Sequence, residues 1–238
     1  MTAIDQPSLR NRLLRRLAPD DLARLGPHLE PVSLPRDETL AEPGQPFTHV
    51  VFPESGLGSI VTLSPEGQAA ESGLFGRDGL APMGVVLGAD RAPQRIIVQV
   101  AGEGHRVAAP VLRDALAASP ALRDLLLRYV QAMAVQTAYT ALSNAVHQID
   151  ERLARWLLMS HDRVGGHELL LTHEFLSVML AVRRPSVTTA LHVLEGNRVI
   201  RAERGVITVT DRGGLEEFAA DAYGRPEAEY ERLIGPLR

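Results

Sequence analysis

The feature that most constrains this chain is an abrupt change of texture near residue 109. From about 30 to 108, short apolar or alternating runs ("PVSL", "FTHVVF", "LGSIVTL", "QRIIVQV") are separated by Gly, Pro, Asp and Glu. Strands punctuated in this way predict an antiparallel sandwich or barrel. From 109 onward, "APVLRDALAASPALRDLLLRYVQAMAVQTAYTALSNAVHQIDERLARWLLMSHDRV" reads as helix for most of its length. Pro120 is placed to open a new helix, because a proline in the first turn forfeits no hydrogen bond. That helix is expected to reach about residue 148, longer than a small domain needs for its own core. Ahead of the strands, residues 8–29 carry two short helical patterns. One of them, "PDDLARLGPHL", has acids in its first turn, where the helix dipole favours them.

The long helix predicts a partner. Leu125, Ala132, Val135, Tyr139, Leu142, Val146 and Ile149 follow a 3/4 spacing with Arg128 as the one charged interruption, the pattern of a coiled-coil seam between two copies of the chain. A second stripe, Leu122, Leu126, Tyr129, Val130 and Met133, is placed to cover the strand-rich region of its own subunit. A single helix buried on two sides within a monomer is the alternative.

Composition narrows the chemistry. The 238 residues suit one large domain or two ordinary ones, and 45% hydrophobic with 23% charged residues lies in the globular range. The apolar runs are too short to span a membrane, and the first residues lack the pattern of a secretory signal. Cysteine is absent, which removes disulfides, thiolate metal sites and cysteine nucleophiles and fits a cytoplasmic protein. No two of the eight histidines stand at i, i+2, so a jelly-roll metal cluster is not expected. No nucleophile elbow, phosphate loop or dinucleotide fingerprint occurs, so neither an enzyme nor a cofactor is expected.

The net charge of −4 argues mildly against nucleic acid, but local charge decides binding. Between Thr172 and Arg212 six arginines face four acids. The tail after Arg212 is acidic, and it is expected either to pack on the preceding domain or to weaken non-specific DNA binding by repulsion. Within the basic window, "THEFLSVMLAVRRPSVTTALHVLEGNRVIRAERGVITV" reads as helix, turn, helix and hairpin. Thr172 is a good N-cap, and Phe175, Leu176, Met179 and Leu180 give the first helix an inner face. Ala181 and Val182 form the joint. Pro185 biases Arg184 away from helical geometry and falls in the first turn of the second helix. That helix, about 184–195, buries Val187, Ala190, Leu191 and Leu194. Its other side carries Ser186, Thr188, Thr189 and His192, with Arg183 and Arg184 at its entrance and Arg204 at the tip of the following hairpin. Hydroxyls and guanidinium groups in this arrangement match base edges and phosphates in a major groove. An ordinary amphipathic helix with a solvated polar face is the alternative at any one position.

These residues resemble the C-terminal winged helix-turn-helix of the Crp/Fnr transcription regulators, and the strand-rich region resembles their cyclic-nucleotide-binding-type jelly roll. The resemblance runs from about residue 12 to 211. It implies an α+β chain with an N-terminal antiparallel β jelly roll and N-terminal helices (1–118), a long dimerisation helix (119–149) and a winged helix-turn-helix domain with an acidic tail (150–238). It further implies a cytoplasmic bacterial homodimer, with Leu125, Val135, Tyr139, Leu142 and Val146 at the seam. Double-stranded DNA at a pseudo-palindromic site, RNA polymerase and an effector would be its partners. The DNA-contacting positions would be Thr172, His173, Arg183, Arg184, Ser186, Thr188, Thr189, His192 and Arg204.

Departures from the family pattern modify this. Arg184 matches a frequent family Arg, but Pro185 replaces a common Glu and Thr189 a common Arg, so base preference should differ. Ala181 stands where a Gly is usual, which predicts some strain. Where the family binds cyclic nucleotides with Gly-Glu, this chain has Ala81-Pro82 or Gly84-Val85, and Pro93, Gln94 and Arg95 lie near the phosphate position. The effector is therefore expected to be something other than cyclic AMP, or absent. The competing expectation is a small-molecule-binding jelly roll whose C-terminal domain mediates protein contacts.

Overall fold

The computed structural model describes residues 5–237. One short helix, α1 (Pro19–Leu25), precedes seven strands: β1 (Glu30–Leu34), β2 (Thr39–Ala41), β3 (His49–Pro53), β4 (Leu57–Leu63), β5 (Ala69–Phe75), β6 (Arg95–Val100) and β7 (Gly102–Ala108). They form two antiparallel sheets, ordered β1-β7-β3 and β2-β6-β4-β5. Phe52, Ile60, Phe75, Ile96 and Val107 from both sheets share one core, which makes the region a rolled sandwich.

Two helices follow, α2 (Ala109–Ala118) and α3 (Pro120–Val146). Ser119 caps α3 by accepting from Leu122 N, and Pro120 occupies the first turn as expected. On one side α3 buries Leu122, Leu126, Tyr129 and Met133 against the roll, the predicted second stripe. Gln136 fixes the contact further: its side chain accepts from Leu74 N at 2.7 Å and donates to Leu74 O at 3.3 Å. The helix ends two residues short of expectation. At Gln148 a new cap begins α4 (Ile149–Arg163), with Gln148 N donating to Glu151.

The C-terminal part comprises α4, β8 (Glu168–Leu169), α5 (His173–Met179), α6 (Arg184–Gly196), β9 (Ile200–Glu203), β10 (Val206–Val209) and α7 (Arg212–Ala219). The stretch just after α4, turn-like in sequence, contains β8, which pairs with β10 and completes a three-stranded sheet. This domain packs on the outer face of the four-stranded sheet, where Leu57, Val61, Leu74 and Val100 join one core with Leu153, Trp156 and Leu176.

Polar groups are buried at the same junction. Arg163 of α4 meets Asp78 of the roll at 2.8 Å, the two side chains 3% and 1% exposed. Glu71 of β5 accepts from Trp156 Nε1 at 2.9 Å and from Ser59 Oγ. Burial pushes its carboxyl up to about 8, against the pull of these hydrogen bonds and of Arg155. The folded protein therefore keeps a proton that the unfolded chain releases near 4.5. This contribution to stability is complete below the unfolded value and is lost as pH rises through about 8. The thermal midpoint of the parent is expected to fall across this window more steeply than that of Glu71→Gln; equal slopes would show that Glu71 is not the group responsible.

The structure corrects the expectation for the acidic tail. Residues from Arg212 to Ala219 do pack on α4, but the last helix, α8 (Arg225–Leu233), crosses to the N-terminal region and lies against α3. Tyr230, Ile234 and Leu237 enter the core of the roll and its helices. Tyr230 Oη donates to Asp78 O at 2.6 Å, and Arg12 and Arg16 donate to the carbonyls of Pro236 and Ile234. Apolar burial outweighs the acidic composition, and Glu227 is half-buried, with desolvation raising its carboxyl.

Candidate nucleic-acid interface

The helix-turn-helix is built from local signals. Thr172 caps α5 by accepting from Phe175 N, so this hydroxyl has a structural duty whatever else it touches. The joint takes its bend at Ala181, whose φ of +50° is the left-handed conformation foreseen for a position that favours Gly. Arg183 is extended and caps α6, whose first helical residue is Arg184, so the bias expected from Pro185 on Arg184 is overridden. Val187, Ala190, Leu191 and Leu194 are the buried face of the helix, as predicted. The hairpin β9–β10 turns on Arg204-Gly205, with Glu203 opposite Val206 and Gly205 at a φ of +74°. A two-residue turn of this kind needs positive φ, which Gly supplies.

Arg183, Arg184, Thr189 and His192 are all exposed along or ahead of α6, and His173 and Arg204 are exposed nearby. Ser186 and Thr188 are half-buried. Thr189 Oγ1 donates to Pro185 O at 3.1 Å, and Thr188 Oγ1 to Arg184 O at 3.3 Å, with His173 Nδ1 3.2 Å from Thr188 Oγ1. Back-bonding to the preceding turn leaves each Thr its methyl and acceptor lone pairs for a partner and accounts for two weak helix formers side by side. Arg184 forms an ion pair with Glu174 of α5. Both side chains are more than half exposed, so the pair holds Arg184 in place at little cost to any competing anion.

Arg212, counted in the basic window, faces inward: it bonds Asp162 Oδ1 at 2.8 Å, Tyr223 Oη at 2.8 Å and Glu216 Oε1 at 2.9 Å. Leu125 and Ala132, placed at the intermolecular seam, are buried in their own subunit's core at 8% and 4% exposure. Val135 and Tyr139 are half-buried, while Leu142 and Val146 are 49% and 60% exposed. The uncovered apolar face of α3 is rotated from the predicted one and runs through Leu127, Ala134, Ala138, Ala141 and Ala145, flanked by Leu142 and Val146. Sequence spacing hides it because α3 is apolar on two sides and short Ala side chains score weakly as a seam.

Within the roll lies a cavity of about 350 Å³ lined by Phe47, Ile60, Met83, Ile96 and Val130 of α3, with Arg91 and Gln94 as its polar side chains. No carboxylate lines it among the described residues. Arg95 points away from this cavity and pairs with Glu42 at 3.0 Å on the outer sheet face. No group of three or more His, Cys, Asp or Glu side chains is disposed to hold a metal among the described residues, and among them no helix is long and apolar enough to cross a membrane.

Residues 151–218 match the model of the Crp-like helix-turn-helix domain. No curated protein matches the chain in sequence. Solved structures share its fold over most of its length. FixK2 from Bradyrhizobium japonicum superposes with a TM-score of 0.67 at 16% identity, covering 81% of this chain and 98% of that one. A transcriptional regulator of the CRP/FNR family from Thermus thermophilus gives 0.64 at 20% identity, covering 80% and 98%. The c-di-GMP-responsive global regulator CLP from Xanthomonas campestris gives 0.61 at 17%, covering 81% and 99%.

Proposed function

We propose that this chain, which carries a Crp-like helix-turn-helix domain on the fold of the Crp/Fnr regulators, is a sequence-specific DNA-binding transcription regulator that works as a homodimer. The observation that carries the reading is the exposed arginine pair, Arg183 and Arg184, at the start of a solvent-facing α6 in that domain, with Arg204 exposed at the hairpin tip. Helix α6 would enter the major groove, where Arg184, Thr189 and His192 read base edges and Arg183 and Arg204 neutralise phosphate. Thr172, His173, Ser186 and Thr188 would position this face. RNA polymerase is the further partner such a regulator requires.

The chain would use an effector other than cyclic AMP, or none; an effector would occupy the roll's cavity. The lining supplies no carboxylate for ribose hydroxyls, and Arg95 is turned outward. The test is fluorescence anisotropy on a duplex from the protein's own upstream region, beside a random duplex, at several salt concentrations and with and without cyclic AMP. Salt-sensitive preference for the first duplex, indifferent to cyclic AMP, is expected. Equal affinity for both duplexes would overturn the regulator reading.

Dimerisation would use the uncovered face of α3, with Leu142 and Val146 retained from the predicted seam and Leu125 and Ala132 dropped. A helix with an apolar stripe exposed along several turns is stabilised by a matching copy. Leu142→Glu combined with Val146→Glu is expected to sediment as a monomer with unchanged helix content, since both positions are exposed. A parent that is itself monomeric, or a variant that still dimerises, would remove this seam.

A further inference from the structure

Between the roll and α5 lies a second cavity, of about 340 Å³, distinct from the one inside the roll. Its floor is the outer face of the four-stranded sheet, with Val61, Leu63, Ile97 and Gln99, and its roof is α5, with Phe175, Val178 and Met179. The volume is in the range of small-molecule sites. The cavity is a cleft partly open to solvent, framed by side chains of both domains.

The cavity carries one underused polar group. Gln99 is 3% exposed, yet its side chain makes a single hydrogen bond among the described residues, from Nε2 to Met179 Sδ at 3.7 Å. A thioether is a weak acceptor, so the Gln99 amide, which lines the cavity, keeps most of its hydrogen-bonding capacity for an occupant. At the rim, Arg36 and Arg95 are matched by Asp37 and Glu174. Arg36 lies 3.9 Å from Asp37, and Arg95 bonds Glu42. This balance offers no net field to select an ion.

We propose that this interdomain cavity binds an uncharged, mainly apolar small molecule bearing one amide or hydroxyl group, whose polar end pairs with Gln99. The walls belong to different domains, so an occupant that competes with Met179 for Gln99 changes how α5 rests on the sheet. Because α5 packs on α6, occupancy then biases the orientation of α6. The coupling rests on the DNA-binding reading; the site itself does not.

The chain contains one tryptophan, and Trp156 meets Phe175 edge-on at 5.5 Å between ring centroids. Its emission therefore reports on the cavity roof. The experiment titrates the full-length protein with octanamide, with octanoate as the charged control. A saturable change in Trp156 emission is expected, with octanoate binding more weakly. Gln99→Met keeps the volume and removes the amide, and should weaken octanamide about tenfold, the worth of one good hydrogen bond. Ala69→Phe fills the space from β5 and should abolish saturation. Circular dichroism of each variant confirms folding. Non-saturable behaviour of the parent overturns the site, as does binding that both folded variants leave unchanged, and tighter binding of octanoate overturns the assigned chemistry. Repeating the anisotropy measurement with octanamide tests coupling separately, so failure of the regulator reading and failure of the site are distinguishable.

Discussion

Replacing Arg183 and Arg184 together by Ala is expected to lower affinity for the specific duplex by at least roughly 100-fold, since each base-edge or phosphate contact by Arg is worth about 1–3 kcal/mol. The salt dependence should flatten as well, by about one unit of slope for each phosphate no longer neutralised. Both side chains are exposed, and neither belongs to the core of the domain, so the fold should survive. The tie that breaks is the surface ion pair of Arg184 with Glu174, which costs little. The measurement is the same anisotropy titration, with thermal unfolding as a control. A double variant that binds with parental affinity and slope would show that α6 does not face DNA through its first turn.

Asp78→Asn should produce the largest loss of stability from a single substitution. The carboxylate neutralises Arg163, which is buried at the junction of the roll and α4. It also accepts from Gly76 N at 2.7 Å. An Asn of the same size removes the carboxylate bonded to a buried guanidinium, and breaking a buried pair from one side costs about 3–5 kcal/mol. Tyr230→Phe is the contrast. It removes one hydrogen bond to Asp78 O while keeping the ring in the core, and should cost about 1 kcal/mol. Urea unfolding monitored by Trp156 separates the two. If Asp78→Asn costs no more than Tyr230→Phe, the Arg163 pair contributes nothing beyond an ordinary hydrogen bond.

The DNA-facing helix is legible in the sequence because its signals are local. A proline, a cap and the spacing of four apolar residues define α6 without knowledge of distant contacts. Strands β3, β4 and β6 are legible for the same reason: each carries its own apolar run. Strand β7, "GEGHRVA", is not, because it brings little apolar matter of its own and is held by the ladders of β1 and β3 on either side. Gly104 permits that close approach, since a Cβ there would fall 2.6 Å from Phe52 O. Strand β5, "AAESGLF", carries its large apolar residues only at its end, Leu74 and Phe75; it is held by β4 and by the Gln136 side chain of α3.

The sequence by itself determined the layout of the chain: a strand-rich region, a long helix, and a helix-turn-helix with a basic hairpin, each written in periodicities a few residues long. Tertiary structure decided which side of α3 stays uncovered, that Arg212 turns inward to Asp162, and that the acidic tail returns to the core of the roll. It also decided that Gln99 and Met179 meet in the lining of one cavity. Those outcomes depend on groups far apart in the chain competing for the same buried space, and no local pattern records the result of that competition.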